Sequence, residues 1–236
     1  MRPARASALG VLCLALIAAA ALVLPAGAAP AGLVEIQGAA AGTHLRLALA
    51  EGGLLVRGPR DSGGAGCAPR RELGGILCPL AGVERIVVTM GAADDRVDVL
   101  EPLPVPLTVR LGGGSDKFVG NAEADTCYPE GARRNRCVGG GGNDVCITGA
   151  ENSDCVGGPG DDYCRHGAGS DGCWGGPGAD VCVMGAGEDG CHGGLGPDRL
   201  YGGPGADQLY GGSGRDFCDG GPGRGHSRGC EEGPGG

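Results

Sequence analysis

Residues 30–110 alternate apolar and polar positions in short runs, as in Thr43 to Leu49 and Arg85 to Thr89, and glycine-rich breaks separate the runs. A period of two marks half-buried strands, and no stretch of useful length carries the helical period. This part reads as a small β segment. Further along, the pattern changes to a period of nine. From Gly139 to Arg228 ten nine-residue units follow one another without a gap, among them GGPGDDYCR, HGAGSDGCW and GGPGADVCV. Position 2 is Gly in all ten, position 4 is Gly in nine (Glu151 is the exception), and position 6 is Asp in eight (Ser153 and Gly225 are the exceptions). The frame extends upstream with slippage. LGGGSDKFV from Leu111 and GNAEADTCY from Gly120 fit it, Pro129 interrupts, and EGARRNRCV from Glu130 rejoins it with the Asp lost. MGAADDRVD from Met90 is a degenerate outlier.

Each unit joins a glycine-rich turn to a three-residue strand. Glycines in the first four positions permit tight turns with positive φ, and in the strand at positions 7 to 9 the central residue points inward. Two units then make one turn of a right-handed parallel β-roll, so that units n and n+2 stack on one edge and successive turns bury each other's inward residues. A second period, of 18, supports this. Pro159 and Pro177 hold position 3 in alternate units, and Ala150, Ala168 and Ala186 hold it in the units between. The predicted fold class is all-β, a parallel β-solenoid of nonapeptide repeats over 111–228, preceded by the β segment of 29–110 and followed by a tail, 229–236.

Composition narrows the alternatives. Glycine makes up 54 of 236 residues, yet it recurs on a period of nine rather than at every third residue, which excludes collagen. Seven aromatic residues exclude a large aromatic core. The net charge of −9 repels phosphate, which argues against nucleic acid as a partner and for a cation. Arg2 and Arg5 precede an apolar run from Ala8 to Leu24, and small residues Ala26-Gly27-Ala28 follow it, which reads as a secretory signal over 1–28 with no membrane span once it is cleaved. The expected location is therefore outside the cell. Cleavage also removes Cys13 and leaves 12 of the 13 cysteines, an even number that favours disulfides in an exported chain.

Stacked turns about 4.8 Å apart would place Asp144, Asp162, Asp180, Asp198 and Asp216 along one edge, and Asp171, Asp189 and Asp207 along the other after Ser153. Two such ladders would repel unless a cation lay between successive loops. Carboxylate and backbone carbonyl oxygens are the donor set that Ca²⁺ prefers, whereas Mg²⁺ holds its waters and demands an octahedron. The units resemble the nonapeptide G-G-x-G-x-D-x-U-x of the RTX, or hemolysin-type, calcium-binding repeats. The resemblance implies that the position-6 carboxylates and the glycine-loop carbonyls of paired loops hold Ca²⁺. The residues so implicated are Asp116, Asp125 and the eight Asp named above, with Gly142, Gly160, Gly178, Gly196, Gly205 and Gly214. Adjacent Asp pairs give roughly six ions.

Position 8 departs from the family. Seven consecutive units carry Cys137, Cys146, Cys155, Cys164, Cys173, Cys182 and Cys191 there, with Cys127 upstream and Cys218 beyond Leu200 and Leu209. The two leucines mark the position as buried. Free thiols can fill such a core as small hydrophobes, but disulfides are the expectation in an exported chain. Cysteines 18 apart stack within bonding range, whereas neighbours nine apart face each other across sheets about 10 Å apart, so Cys146 with Cys164 and Cys155 with Cys173 are the expected pairs. A thiolate metal ladder with His166 and His192 lacks any zinc-finger spacing. Cys67 with Cys78 and Cys218 with Cys230 flank short segments and are expected to close them. As for catalysis, no H-E-x-x-H is present, and the G-x-S-x-G at 225–229 is followed by only seven residues, none of them Asp or His. The expectation is a protein without enzymatic activity.

Overall fold

The three-residue strands at positions 7 to 9 pair in parallel with the strands 18 residues away. Val145–Ile147 lies beside Tyr163–Arg165, then Val181–Val183, Arg199–Tyr201 and Phe217–Asp219. The intervening units pair separately, from Asn135–Val138 through Ser153–Val156, Gly172–Pro177, Gly190–Leu195 and Gln208–Ser213 to His226–Arg228. Alternate units thus build opposite walls of a parallel β-roll. The computed structural model describes residues 33–38, 42–58, 67–131, 133–231 and 233, so the secretory signal expected over 1–28 lies outside the described residues. Among the described residues there is no α-helix, and no helix long and apolar enough to cross a membrane.

The same two sheets continue upstream of residue 111. Leu33–Gln37, Arg85–Thr89 and Leu107–Gly112 join through Thr126–Pro129 and bring the first sheet to nine strands, and His44–Ala50 and Arg96–Val99 join the second through Lys117–Val119. These strands are the alternating runs of the amino-terminal region. Their alternation sends Val34, Ile36, Leu45, Leu47, Ile86, Val88 and Val97 into the same core that the repeats fill. Gly53–Arg57, Gly75–Pro79 and Ala68–Arg70 then pair antiparallel and complete a 12-stranded sheet. A disulfide between Cys67 and Cys78 ties this extension together. Register explains the slipped frame. Arg96 pairs with Lys117 and Lys117 with Arg136, spacings of 21 and 19, before the spacing settles at 18. Extra residues before Leu107 and around Pro129 are absorbed in the loops.

Position 8 fills the centre, where all eight cysteines from Cys127 to Cys191 are buried, with Leu200, Leu209 and Cys218 beyond them. The bridges run across the roll. Cys127–Cys137, Cys155–Cys164 and Cys173–Cys182 join facing strands with Cα separations of 6.3, 6.4 and 6.5 Å. The stacked pairs expected from the sequence, Cys146 with Cys164 and Cys155 with Cys173, do not form. They are register partners within one sheet, where their Cα–Cβ bonds point the same way, whereas facing cysteines converge. The expectation of sheets about 10 Å apart holds for a layer of large side chains. Here that layer is cysteine, and the roll narrows until neighbours nine apart can bond. Cys218–Cys230 forms as expected. Cys146 and Cys191 remain as buried thiols, and burial pushes the Cys146 thiol up to about 12. His192 lies on the outer face, stacked between Trp174 and Tyr210 with ring centroids 6.3 and 4.6 Å away, so it does not join the inward sulfurs.

Candidate metal centre

The loops between the strands carry the position-6 carboxylates on the two edges that the 18-residue period predicts. On the first edge the Asp144 backbone N–H donates to Asp162 Oδ1 at 2.7 Å, Asp162 to Asp180 at 2.8 Å, Asp180 to Asp198 at 2.9 Å and Asp198 to Asp216 at 2.9 Å. On the second, Ser153 donates to Asp171, Asp171 to Asp189 and Asp189 to Asp207. Upstream, Asp125 donates to Asp144, and Asp116 donates to Asn135 Oδ1. Each Asp therefore spends one oxygen on the turn before it. All ten predicted carboxylates are buried.

The second oxygen is the one available to a cation. In nine of the ten, all but Asp125, Oδ2 is buried and has no hydrogen-bond partner. Asp125 Oδ2 instead accepts from the Asn121 N–H at 2.9 Å. A buried carboxylate oxygen left unpaired is costly, and a ladder of them has to be neutralised by protons or by bound cations. The position-1 glycines explain where these oxygens go. A Cβ on Gly139, Gly157, Gly175, Gly193, Gly202 or Gly211 would overlap Oδ2 of the Asp in the same unit. The predicted carbonyl-bearing glycines are also stacked. Gly142, Gly160, Gly178, Gly196 and Gly214 all have positive φ, and a Cβ on any of the last four would strike the carbonyl oxygen of the one before. Gly205 stacks likewise on Gly187 on the second edge.

Burial holds several of these acids above the ordinary range, and neighbouring carboxylates reinforce it at most of them. Asp144 rises to about 8 and Asp162 and Asp171 to about 7, while Asp116, Asp125, Asp189 and Asp198 rise to about 6. Asp180 and Asp207 are raised as well, with burial the main cause. The site therefore offers hard oxygen donors, a surplus of negative charge and dry surroundings, which fit Ca²⁺.

Three members of the ladders were not recognised from the sequence. Asp95, in the degenerate unit from Met90, accepts from the Thr43 N–H at 2.6 Å, and its own N–H donates to Asp116 at 2.7 Å. Its position-6 frame was the available signal. Asn135 stands where the Asp is lost and keeps the hydrogen bond without the charge. Glu231 accepts from the Asp216 N–H at 2.8 Å and closes the first edge at a spacing of 15, which no period of nine announces. The second edge is weaker in the middle, because Asn135 and Ser153 are neutral and Ser153 Oγ donates to the Glu151 carbonyl. That edge also lacks some position-1 glycines. Thr148, His166 and Met184 take their place, and buried His166, 3.1 Å from Thr148 Oγ1, is held neutral by burial, its pKa lowered to about 4.

Residues 138–173 and 192–226 match the family model of the RTX calcium-binding nonapeptide repeat, in four copies. No curated protein matches the chain. The class is thus a parallel β-roll with carboxylate-lined loops. Residues 138–226 of this chain are an array of RTX calcium-binding nonapeptide repeats, which implies Ca²⁺ binding in the roll.

Charge and hydrogen bonding separate cleanly at Asp162, which lies between Asp144 and Asp180. Asp162→Asn retains the Oδ1 acceptor for the Asp144 N–H and removes the charge. At pH 8 in chelator the variant is expected to be more stable than the parent by roughly 1 kcal/mol, because a repelling carboxylate has gone. With calcium it is expected to be less stable and to bind fewer ions in titration calorimetry. A loss of stability under both conditions would mean that the carboxylate is only a hydrogen-bonding group.

Proposed function

We propose that this is an exported, non-enzymatic calcium-binding protein in which Ca²⁺ completes the folding of the roll. The carrying observation is the series of buried, unpartnered Oδ2 atoms on both edges. Glycine-rich loops are costly to order and their carboxylates repel, while only the folded roll brings successive loops together, so cation binding is coupled to folding. A single site at 100 times its dissociation constant contributes about 2.7 kcal/mol, and several sites add to it. The apolar run Ala8 to Leu24 and the disulfides support export, where disulfides persist. The absence of catalytic machinery is supported at G-x-S-x-G, whose Ser227 sits mid-strand in His226–Arg228 beside Leu209 rather than at a strand-to-helix turn.

The expected result is a gain of β signal in far-UV circular dichroism as the metal-free, non-reduced protein is titrated with calcium, and no such gain with magnesium. One other reading is favoured by the cross-roll bridges, namely a disulfide-stabilised structural or adhesive surface protein in which calcium is secondary. That reading expects a strong β signal that chelator leaves unchanged and reductant abolishes.

A further inference from the structure

The eight position-8 cysteines from Cys127 to Cys191 divide equally between the walls. Cys127, Cys146, Cys164 and Cys182 lie in the nine-stranded sheet, and Cys137, Cys155, Cys173 and Cys191 in the facing one. Every bridge in this column joins one wall to the other, so three bridges leave one thiol in each, Cys146 and Cys191. These thiols are not isolated. The sulfurs of Cys173, Cys182 and Cys191 all lie within 4.8 Å of one another. Cys182 therefore faces two cysteines of the opposite wall, each nine residues away, one bonded and one free. Cys146 stands in the same relation to two bridges, since it is the register partner of both Cys127 and Cys164.

We infer that the cysteine column is a thiol–disulfide exchange relay in which the bridges slide along the roll while each free thiol stays in its own wall. In the first step the Cys191 sulfur attacks Cys182 Sγ. The Cys182–Cys191 bond forms, the Cys173–Cys182 bond breaks, and Cys173 leaves with the proton that Cys191 gives up. No external oxidant or reductant is consumed. Cys173 is then placed to attack Cys164 in the same way, releasing Cys155. From the other end, Cys146 attacks Cys155 and releases Cys164, or attacks Cys137 and releases Cys127. Because every bond crosses the roll, an attacking thiol always displaces a cysteine of its own sheet. The inference rests on the cross-roll pairing and is independent of calcium binding.

Single-thiol variants test it. Cys191→Ser leaves one thiol among the described residues, at Cys146. The variant is held for hours at pH 8 without reductant, the timescale of uncatalysed rearrangement, then quenched in acid, denatured, alkylated and mapped by mass spectrometry. The alkyl label is expected to spread from Cys146 to Cys164, Cys182 and Cys127, with none on Cys137, Cys155 or Cys173. Cys146→Ser should confine the label to the other wall, on Cys191, Cys173 and Cys155 only, because the substitution interrupts the path to Cys137. Label confined to the starting cysteine would overturn the relay, and label on both walls would replace it with random scrambling. The unsubstituted protein gives the same reading should a variant fail to fold, with one label in each wall and each spread over several positions.

Discussion

In a chelating buffer the protein is expected to lose stability as the pH rises from 5 to 8, the reverse of ordinary acid denaturation. Seven of the ladder carboxyls have folded-state pKa values above those of the unfolded chain, so the stability they contribute is present below about pH 4 and is lost as pH rises through the folded values. Those values are about 6 for Asp116, Asp125, Asp189 and Asp198, about 7 for Asp162 and Asp171, and about 8 for Asp144. Even discounted for solvent at the loop edges, such groups acting together amount to a few kcal/mol, on the order of 10 °C in the melting temperature of a chain this size. Saturating calcium should abolish the fall, because the cation takes the place of the protons, and its uptake near pH 7 should release protons measurably. A metal-free melting temperature that is flat or rising between pH 5 and 8 would refute the account.

The run Gly139 to Gly142 is expected to give opposite results at adjacent positions. Gly140 and Gly142 have φ of +121° and +90°, and a Cβ on either would strike backbone of the turn below, at Asn121 and at Glu123. Neither obstacle is a flexible side chain that can turn aside. Gly140→Ala or Gly142→Ala is therefore expected to cost about 3 kcal/mol or more, the combined effect of left-handed backbone and forced separation of two turns. Between them, a Cβ on Gly141 would make ordinary contacts of 3.7 Å with Ala122 Cα and the Pro159 carbonyl, and its φ is not in the left-handed region. Gly141→Ala should leave the roll intact and stabilise it by about 0.4–1 kcal/mol, by narrowing the freedom of the unfolded chain. Thermal melts in saturating calcium check all three. Equal effects at the three positions would mean that the glycines act through composition and not through the stacking of the loops.

The periodicity made the fold and most of the ladder readable. A strict spacing of 18 fixes which Asp stacks on which, so both edges could be drawn from the sequence, including the gap at Ser153. What the period could not reach lies where the spacing changes. Asp95 stands 21 residues before Asp116, and Glu231 stands 15 after Asp216, so loop length hides both members from a fixed frame. The amino-terminal strands read as a separate segment because their period of two is that of any half-buried strand, and the sequence does not say which sheet they join. The disulfide pairing failed for a different reason. Sheet separation is a consequence of what fills the space between the sheets, and the cysteines judged too far apart to bond are themselves the residues that bring the walls together.

The hydrogen bonds of the ladder all point one way, since each carboxylate serves the turn before it and Glu231 serves the last on its edge. An array wired like this is modular in blocks of 18. Removing or duplicating such a block within the regular stretch restores each donor to an equivalent acceptor, keeps each cysteine in its wall and leaves the closing glutamate in place. A change of nine residues does none of these things, because it moves every later unit to the opposite edge and strands Glu231 on the wrong side. Whole turns can therefore be added to or taken from the regular stretch without disturbing the contact by which Glu231 closes the first edge.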